Sequence, residues 1–100
     1  MGILDRFSLQ GRVAVVTGGS GPQFGSSLSE GLAEAGATVI CASRSLEANE
    51  KFAKGLTDKG YDAHAMTVDI TDADSIQRLG EQVHERFGDV DVLVNSAVVA

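Results

Sequence analysis

Val13-Ala14-Val15-Val16-Thr17-Gly18-Gly19-Ser20-Gly21-Pro22-Gln23-Phe24-Gly25 runs from a short apolar, β-branched segment into a glycine cluster, and a helical pattern begins directly behind it. A buried parallel strand reads as a near-continuous Val/Ile run rather than an alternating one. A tight turn after such a strand aims the N–H groups of the next helix at whatever lies above the strand end. Those donors are unpaired, and the helix dipole adds roughly half a positive charge there, so the turn suits an anion such as phosphate. Glycine serves this turn because a side chain would hold a ligand away and because some positions need positive φ. A Gly-x-Gly-x-x-Gly pattern alone is weakly diagnostic; its placement between strand and helix gives it weight. The competing reading is a plain glycine-rich βα turn without a ligand.

Outward from this turn the chain alternates strand and helix. Residues 1–11 read as an arm, with Phe7 and Leu9 able to dock on the sheet and Gln10-Gly11 turning into a first strand over Arg12 to Thr17. A first helix is expected from Phe24 to Ala35, with Phe24, Leu28, Leu32 and Ala35 on one face. Gly31 in mid-helix costs about 1 kcal/mol relative to Ala, so a close approach to the sheet is expected to compensate it. Gly36 ends the helix. A second strand spans Thr38 to Ser43, and Ser45 caps a second helix, with Glu47 in its first turn and Leu46, Ala53 and Leu56 as its apolar stripe. Gly60 closes that helix. A third strand is expected from Asp62 to Val68, its mixture of Ala63, Ala65 and polar residues suiting an edge. Thr71-Asp72-Ala73-Asp74 matches a Ser/Thr-x-x-Asp/Glu cap with Thr71 as the capping residue. Ile76, Leu79, Val83 and Phe87 form a helical stripe, and Gly88-Asp89 turns into a fourth strand from Val90 to Val94.

This β-α-β-α-β-α-β pattern with short connections implies an α/β fold whose parallel strands are joined by right-handed crossovers. With the glycine turn at the switch point, the sheet is Rossmann-like and doubly wound, with strand order 3-2-1-4. The first two helices then lie on one face and the third on the other. The second face has one helix for four strands, and the fourth strand is an uncovered edge. Since parallel sheets are normally buried on both faces, the sequence reads as the N-terminal part of a larger fold, or as a module needing a partner.

The chain has 100 residues, 43% of them hydrophobic, and a formal net charge of −6. That size is one domain or part of one. No segment approaches the roughly 18 apolar residues of a membrane span. The start lacks a secretory apolar region, so the expected location is cytoplasmic. Gly2 is no myristoylation signal, because Arg6 stands where that motif wants Ser or Thr. The acidic balance disfavours nucleic acid and, more weakly, an anionic membrane. An anionic ligand must therefore be held by local donors. Cys41, the single cysteine, cannot form an internal disulfide and reads as a buried small hydrophobe. His64 and His84 have no partners at metal-ligand spacing.

Three further strand ends bear on the glycine turn. About 20 residues beyond it, where a dinucleotide fold reads the adenine ribose, the chain has Ser43-Arg44. An Asp or Glu there would accept from ribose hydroxyls and repel a 2′-phosphate. A neutral donor beside a guanidinium fork suits a phosphate monoester, which favours NADP as cofactor over NAD. The alternative is a solvated arginine at a strand end. After the third strand, Asp69 could accept from an adenine amino group while Ile70 packs on the ring, or Asp69 could belong to the turn before the next helix. Asn95-Ser96-Ala97 ends the fourth strand, where the Asn95 amide could join backbone to a ribose or to a neighbouring strand. No acid–base dyad is visible.

These segments together resemble the short-chain dehydrogenase/reductase family, classical type, in its N-terminal cofactor-binding part. The resemblance rests on Val16-Thr17-Gly18, Ala42-Ser43-Arg44, Val68-Asp69-Ile70-Thr71 and Asp91-Val92-Leu93-Val94-Asn95-Ser96-Ala97. It implies that Gly18, Ser20, Gly21 and Gly25 line the pyrophosphate and ribose, with Phe24 in the usual Ile place of the turn. It further implies that Arg44, beside Ser43, meets a 2′-phosphate, that Asp69 and Ile70 bracket adenine, and that Asn95 with Ala97 reaches the ribose near nicotinamide. Two departures stand out: one extra residue separates Gly18 from Gly25, which Gly21-Pro22 would absorb, and the family's Asn-Asn-Ala-Gly becomes Asn95-Ser96-Ala97-Val98. The family's catalytic Ser and Tyr-x-x-x-Lys fall beyond the fourth strand, and Tyr61, with no Lys four residues on, does not replace them. The implied function is an NADP-preferring oxidoreductase, with NAD possible, interconverting an alcohol and a carbonyl of a small molecule as a homo-oligomer; the 100 residues alone are expected to be inactive. The alternatives are a non-catalytic NADP(H)-binding or sensor module, and an α/β fragment without a ligand.

Overall fold

The computed structural model describes residues 8–18 and 24–95, the side chain of Phe24 excepted. The elements are β1 (Val13–Thr17), α1 (Phe24–Glu34), β2 (Thr38–Ser43), α2 (Leu46–Asp58), β3 (Ala63–Thr67), α3 (Ala73–Phe87) and β4 (Val92–Asn95). All strands pair in parallel, in the order β3-β2-β1-β4. This is the doubly wound order expected, and it follows from β1 being the most apolar strand: every residue of Val13–Thr17 is buried. β1 and β2 take the centre, and their middle residues, Ala14 to Val16 and Val39 to Ala42, are buried on both faces of the sheet.

Each face has its own core. On one side Ala14, Val16, Val39 and Cys41 pack under Ala33 of α1 and Ala53 and Leu56 of α2. On the other, Val13, Val15, Ile40, Ala42 and Met66 pack under Leu79 and Val83 of α3. The alternation along each strand supplies both sets, since successive side chains point to opposite faces. Leu9 joins the first side, and its N–H donates to Ala35 O at 2.8 Å. The expected contributions of Phe7, Gly2 and Arg6 lie outside the described residues. β4 is the thin edge: Leu93 is 69% exposed.

Several local expectations need correcting. The buried positions of α1 are Gly25, Ser29 and Ala33, while Leu28 is 38% exposed. Small residues therefore lie closest to the sheet, Leu32 packs at the border of that core as expected, and Leu28 stands to the side. Gly31 does not approach the sheet; a Cβ there would meet nothing within 4 Å. In α2 Leu46 is exposed and Asn49 is buried in its stead. The cap of α3 is Asp72, whose carboxylate accepts from Asp74 N at 3.0 Å, because Thr71 is turned toward Asp69. β3 begins at Ala63. β4 begins at Val92, since Asp91 uses its carboxylate to accept from Val13 N at 2.9 Å. Gly36 is as expected: at φ +103° it ends α1, and a Cβ would meet Gln10 N at 3.2 Å.

Candidate functional site

Parallel pairing sends the C-terminal ends of all four strands to one edge of the sheet. The register places Thr17 beside Ala42 on one flank and Asn95 on the other, and Ser43 beside Thr67. Gly18, Ser43, Arg44, Asp69, Ile70 and Asn95 therefore share this edge, although they are spread over most of the chain. Ser20, Gly21 and Ala97, with the Gly21-Pro22 insertion, lie outside the described residues, as does the Phe24 side chain.

Gly18 extends the β1–β2 ladder, its N–H donating to Ala42 O at 2.7 Å, and then turns at φ +72°. An L side chain is strained in that conformation, so the chain needs glycine where β1 ends. Gly25 is buried in the first turn of α1. Beside Gly18, the Thr17 hydroxyl donates to Asn95 Oδ1 at 2.9 Å and approaches Val94 O at 3.3 Å. The Asn95 amide thus joins β4 to β1.

At the end of β2 the half-buried Ser43 is fully engaged. Its hydroxyl donates to Asn49 Oδ1 at 2.8 Å and accepts from Ser45 N at 3.4 Å. Arg44 stands exposed beyond it and makes no ion pair among the described residues. Asp69 closes a small turn: its Oδ1 accepts from Thr71 Oγ1 at 2.6 Å and Thr71 N at 3.0 Å, while its own N–H donates to Ser75 Oγ at 2.8 Å. The Thr71 hydroxyl and amide hold the Asp69 carboxyl below its ordinary pKa, and the positive charge of Arg44 lowers it further. The ends of β2 and β3 therefore place a cation and an anion within electrostatic reach of each other. Ile70 packs against the α3 side of the core. It lines an apolar cleft of about 330 Å³ with Thr17, Val68, Leu93 and Asn95. A second hollow, about 410 Å³, lies between α1 and α2 beside Glu30, Phe52 and Lys59, well away from this edge.

The reactive side chains elsewhere are occupied. Cys41 is buried, its thiol pushed up by burial, and its Sγ lies 3.7 Å from Ser29 Oγ. Tyr61 packs on the α1–α2 side of the core. His64 Nε2 sits 2.7 Å from Asp62 Oδ1 at the opposite end of the sheet, and His84 pairs with Asp89. Among the described residues no three His, Cys, Asp or Glu side chains converge on a metal position. No helix among them is long and apolar enough to cross a membrane. Asn49 is a site-edge residue that the sequence did not flag, and Thr17 stood in the Val16-Thr17-Gly18 motif without a role of its own. Asn49 had a signal: a polar residue in the gap of the Leu46, Ala53, Leu56 stripe.

A family profile described as short chain dehydrogenase matches residues 12–100. Fluoren-9-ol dehydrogenase of Terrabacter sp. (strain DBF63) is 46% identical over 87 residues, which is 87% of this chain and 24% of that protein. The 3-oxoacyl-[acyl-carrier-protein] reductase of Haemophilus influenzae is 39% identical over 89% of this chain and 35% of its own length. A gluconate 5-dehydrogenase from Burkholderia cenocepacia, solved with NADP and tartrate, superposes with a TM-score of 0.90 at 34% identity, covering 98% of this chain and 38% of that one. The Pseudomonas aeruginosa RhlG/NADP complex gives 0.85 at 38% identity, covering 94% of this chain and 37% of that one. The chain thus spans about a quarter to a third of the curated relatives it matches.

Proposed function

We propose a function from one premise: the chain belongs to the short chain dehydrogenase family. We infer that residues 1–100 are the N-terminal, cofactor-binding part of an NADP-preferring oxidoreductase that interconverts an alcohol and a carbonyl. The observation that carries this reading is the end of β2, where an exposed Arg44, in no ion pair among the described residues, stands in place of a carboxylate. A guanidinium offers a 2′-phosphate two parallel charge-assisted hydrogen bonds, whereas a carboxylate would repel it. Two solved neighbours are complexes with NADP, which supports the same choice.

The residues present fit such a dinucleotide. Gly18 already bends where β1 ends, the start of α1 follows, and the Asp69 carboxylate that would face adenine is fixed by Thr71. In this reading Gly18, Ser20, Gly21, Phe24 and Gly25 surround the pyrophosphate, Asp69 and Ile70 bracket adenine, and Asn95 with Ala97 reaches the second ribose. The bound cofactor supplies the hydride chemistry; this chain's residues bind and orient it. The proton of the alcohol is assigned to the family's Tyr-x-x-x-Lys, which in the family follows the fourth strand, and the 100 residues alone are expected to be inactive. The same reading makes the full-length protein a cytoplasmic homo-oligomer acting on a small molecule.

The test is a fluorescence titration of the full-length protein with NADPH and with NADH, paired with a turnover screen against alcohols and carbonyls. Tighter NADPH binding with nicotinamide-linked turnover is expected. Equal or tighter NADH binding overturns the NADP preference, and NADPH binding without any turnover favours the sensor alternative.

A further inference from the structure

Asn49 is completely buried, in a helical position where the apolar stripe of α2 calls for a hydrophobe. A buried amide is costly unless its donors and acceptor are matched. Here the matching is done by the ends of two strands. Asn49 Oδ1 accepts from the Ser43 hydroxyl at 2.8 Å. Its Nδ2 donates to Met66 O at 2.8 Å and approaches Ser43 O at 3.4 Å. One side chain of α2 thus ties down β2 and β3 where they reach the candidate site.

The consequence falls on Arg44. The Ser43 hydroxyl, pointed by Asn49, accepts from Ser45 N, so the residues on either side of Arg44 are joined to each other. Ser45 in turn caps α2 by accepting from Ala48 N at 3.2 Å, and its carbonyl accepts from Asn49 N at 3.1 Å. The backbone that carries Arg44 is therefore held on both sides while its side chain extends into solvent. The same bonds take up the Ser43 proton, so Ser43 has no hydrogen left to donate to a ligand.

We propose that Asn49 is a positioning residue for cofactor discrimination: through the Ser43 hydroxyl it fixes the turn from which Arg44 reads the cofactor's extra phosphate. This rests on the assignment of Arg44 made above. It makes three residues act as one unit, in which only Arg44 touches the phosphate. A fork that must meet a phosphate with two bonds at once is sensitive to the orientation of its base. NADH has no phosphate at that position and should be indifferent to the turn.

The experiment measures dissociation constants for NADPH and NADH on the full-length protein and its variants Asn49→Leu, Ser43→Ala, the double variant, Arg44→Ala and Arg44→Ala/Asn49→Leu. Leu completes the stripe of α2 with a side chain of similar size. The proposal expects Asn49→Leu to weaken NADPH roughly fivefold or more, the order of one lost hydrogen bond, with NADH changed less than about twofold. Ser43→Ala should do the same, and the double variant should lose no more than the larger single change, as neighbours in one network do. In the Arg44→Ala background Asn49→Leu should leave the NADPH/NADH ratio alone.

Equal weakening of both nucleotides, or a fall in melting temperature with the ratio unchanged, overturns the proposal in favour of a purely structural Asn49. Additive losses for Ser43→Ala and Asn49→Leu also overturn it, because Ser43 would then act on the ligand directly. If Asn49→Leu does not fold, Ser43→Ala decides alone: an unchanged ratio refutes the proposal. An Arg44→Ala variant with an unaltered ratio refutes the underlying assignment instead, which keeps the two failures apart.

Discussion

The Thr17 hydroxyl donates to Asn95 Oδ1 at 2.9 Å, fastening the last residue of β1 to the last residue of β4. The two lie side by side in the parallel register and 78 positions apart in sequence. β4 is the least covered strand, and this bond holds the end that carries Asn95 toward the candidate site. Thr17→Val keeps the shape and removes the donor. It is expected to lower unfolding stability by about 1 kcal/mol with the denaturant slope unchanged. Denaturant titration checks this, and an unchanged midpoint would show that the bond adds nothing.

Asp69 gives a pH prediction with a definite sign. Its folded pKa is lowered, chiefly by the Thr71 hydroxyl, then by the Thr71 amide. The native state therefore binds fewer protons than the unfolded one, and this contribution is present above the unfolded carboxylate pKa of about 3.9. It is lost as pH falls through the lower folded value. Thr71→Val removes the hydroxyl bond and should make the loss of stability below about pH 4 shallower. Denaturation midpoints from neutral pH down to the acid limb check it; parallel curves for the two proteins would contradict it.

Two glycines are expected to answer an alanine substitution with opposite signs. Gly36 has φ +103° and an added Cβ would meet Gln10 N at 3.2 Å. Gly36→Ala should cost about 1–2 kcal/mol, the penalty of an L residue in the left-handed region, with any clash in addition. Gly31 lies exposed inside α1 with open space where its Cβ would be. Gly31→Ala should stabilise by up to ~1 kcal/mol through helix propensity. Thermal melts of both variants decide the matter, and a shift of the same sign in both would contradict the placement of α1.

How far the sequence revealed this molecule depends on whether a signal was local. The order β3-β2-β1-β4 was legible because the continuous apolar run of β1 and the glycine turn behind it identify a central strand at a switch point. The α3 stripe was legible but for one residue: Leu79 and Val83 are buried and Phe87 packs against them, while Ile76 is exposed on the side of the open cleft. The face of α1 was legible only in part because hydrophobicity and burial diverge there: Leu32 packs on the core, but Gly25, Ser29 and Ala33 are the buried positions, small enough to sit against the sheet, and Leu28 is not. The α3 cap was misread because Thr71 and Asp72 are both competent, and only the Asp69 turn decides between them. The role of Asn49 required knowing that Met66 O and the Ser43 hydroxyl end beside it, which strand pairing alone determines.

Recognition of a phosphate by Arg44 beyond the end of β2 is tested most directly by the pair of dissociation constants for NADPH and NADH on full-length wild type and Arg44→Ala. Removal of a desolvated charge-assisted pair should weaken NADPH by one to two orders of magnitude, about 1.5–3 kcal/mol, and NADH by less than twofold. Equal losses for the two nucleotides, or none for either, would contradict the assignment of Arg44.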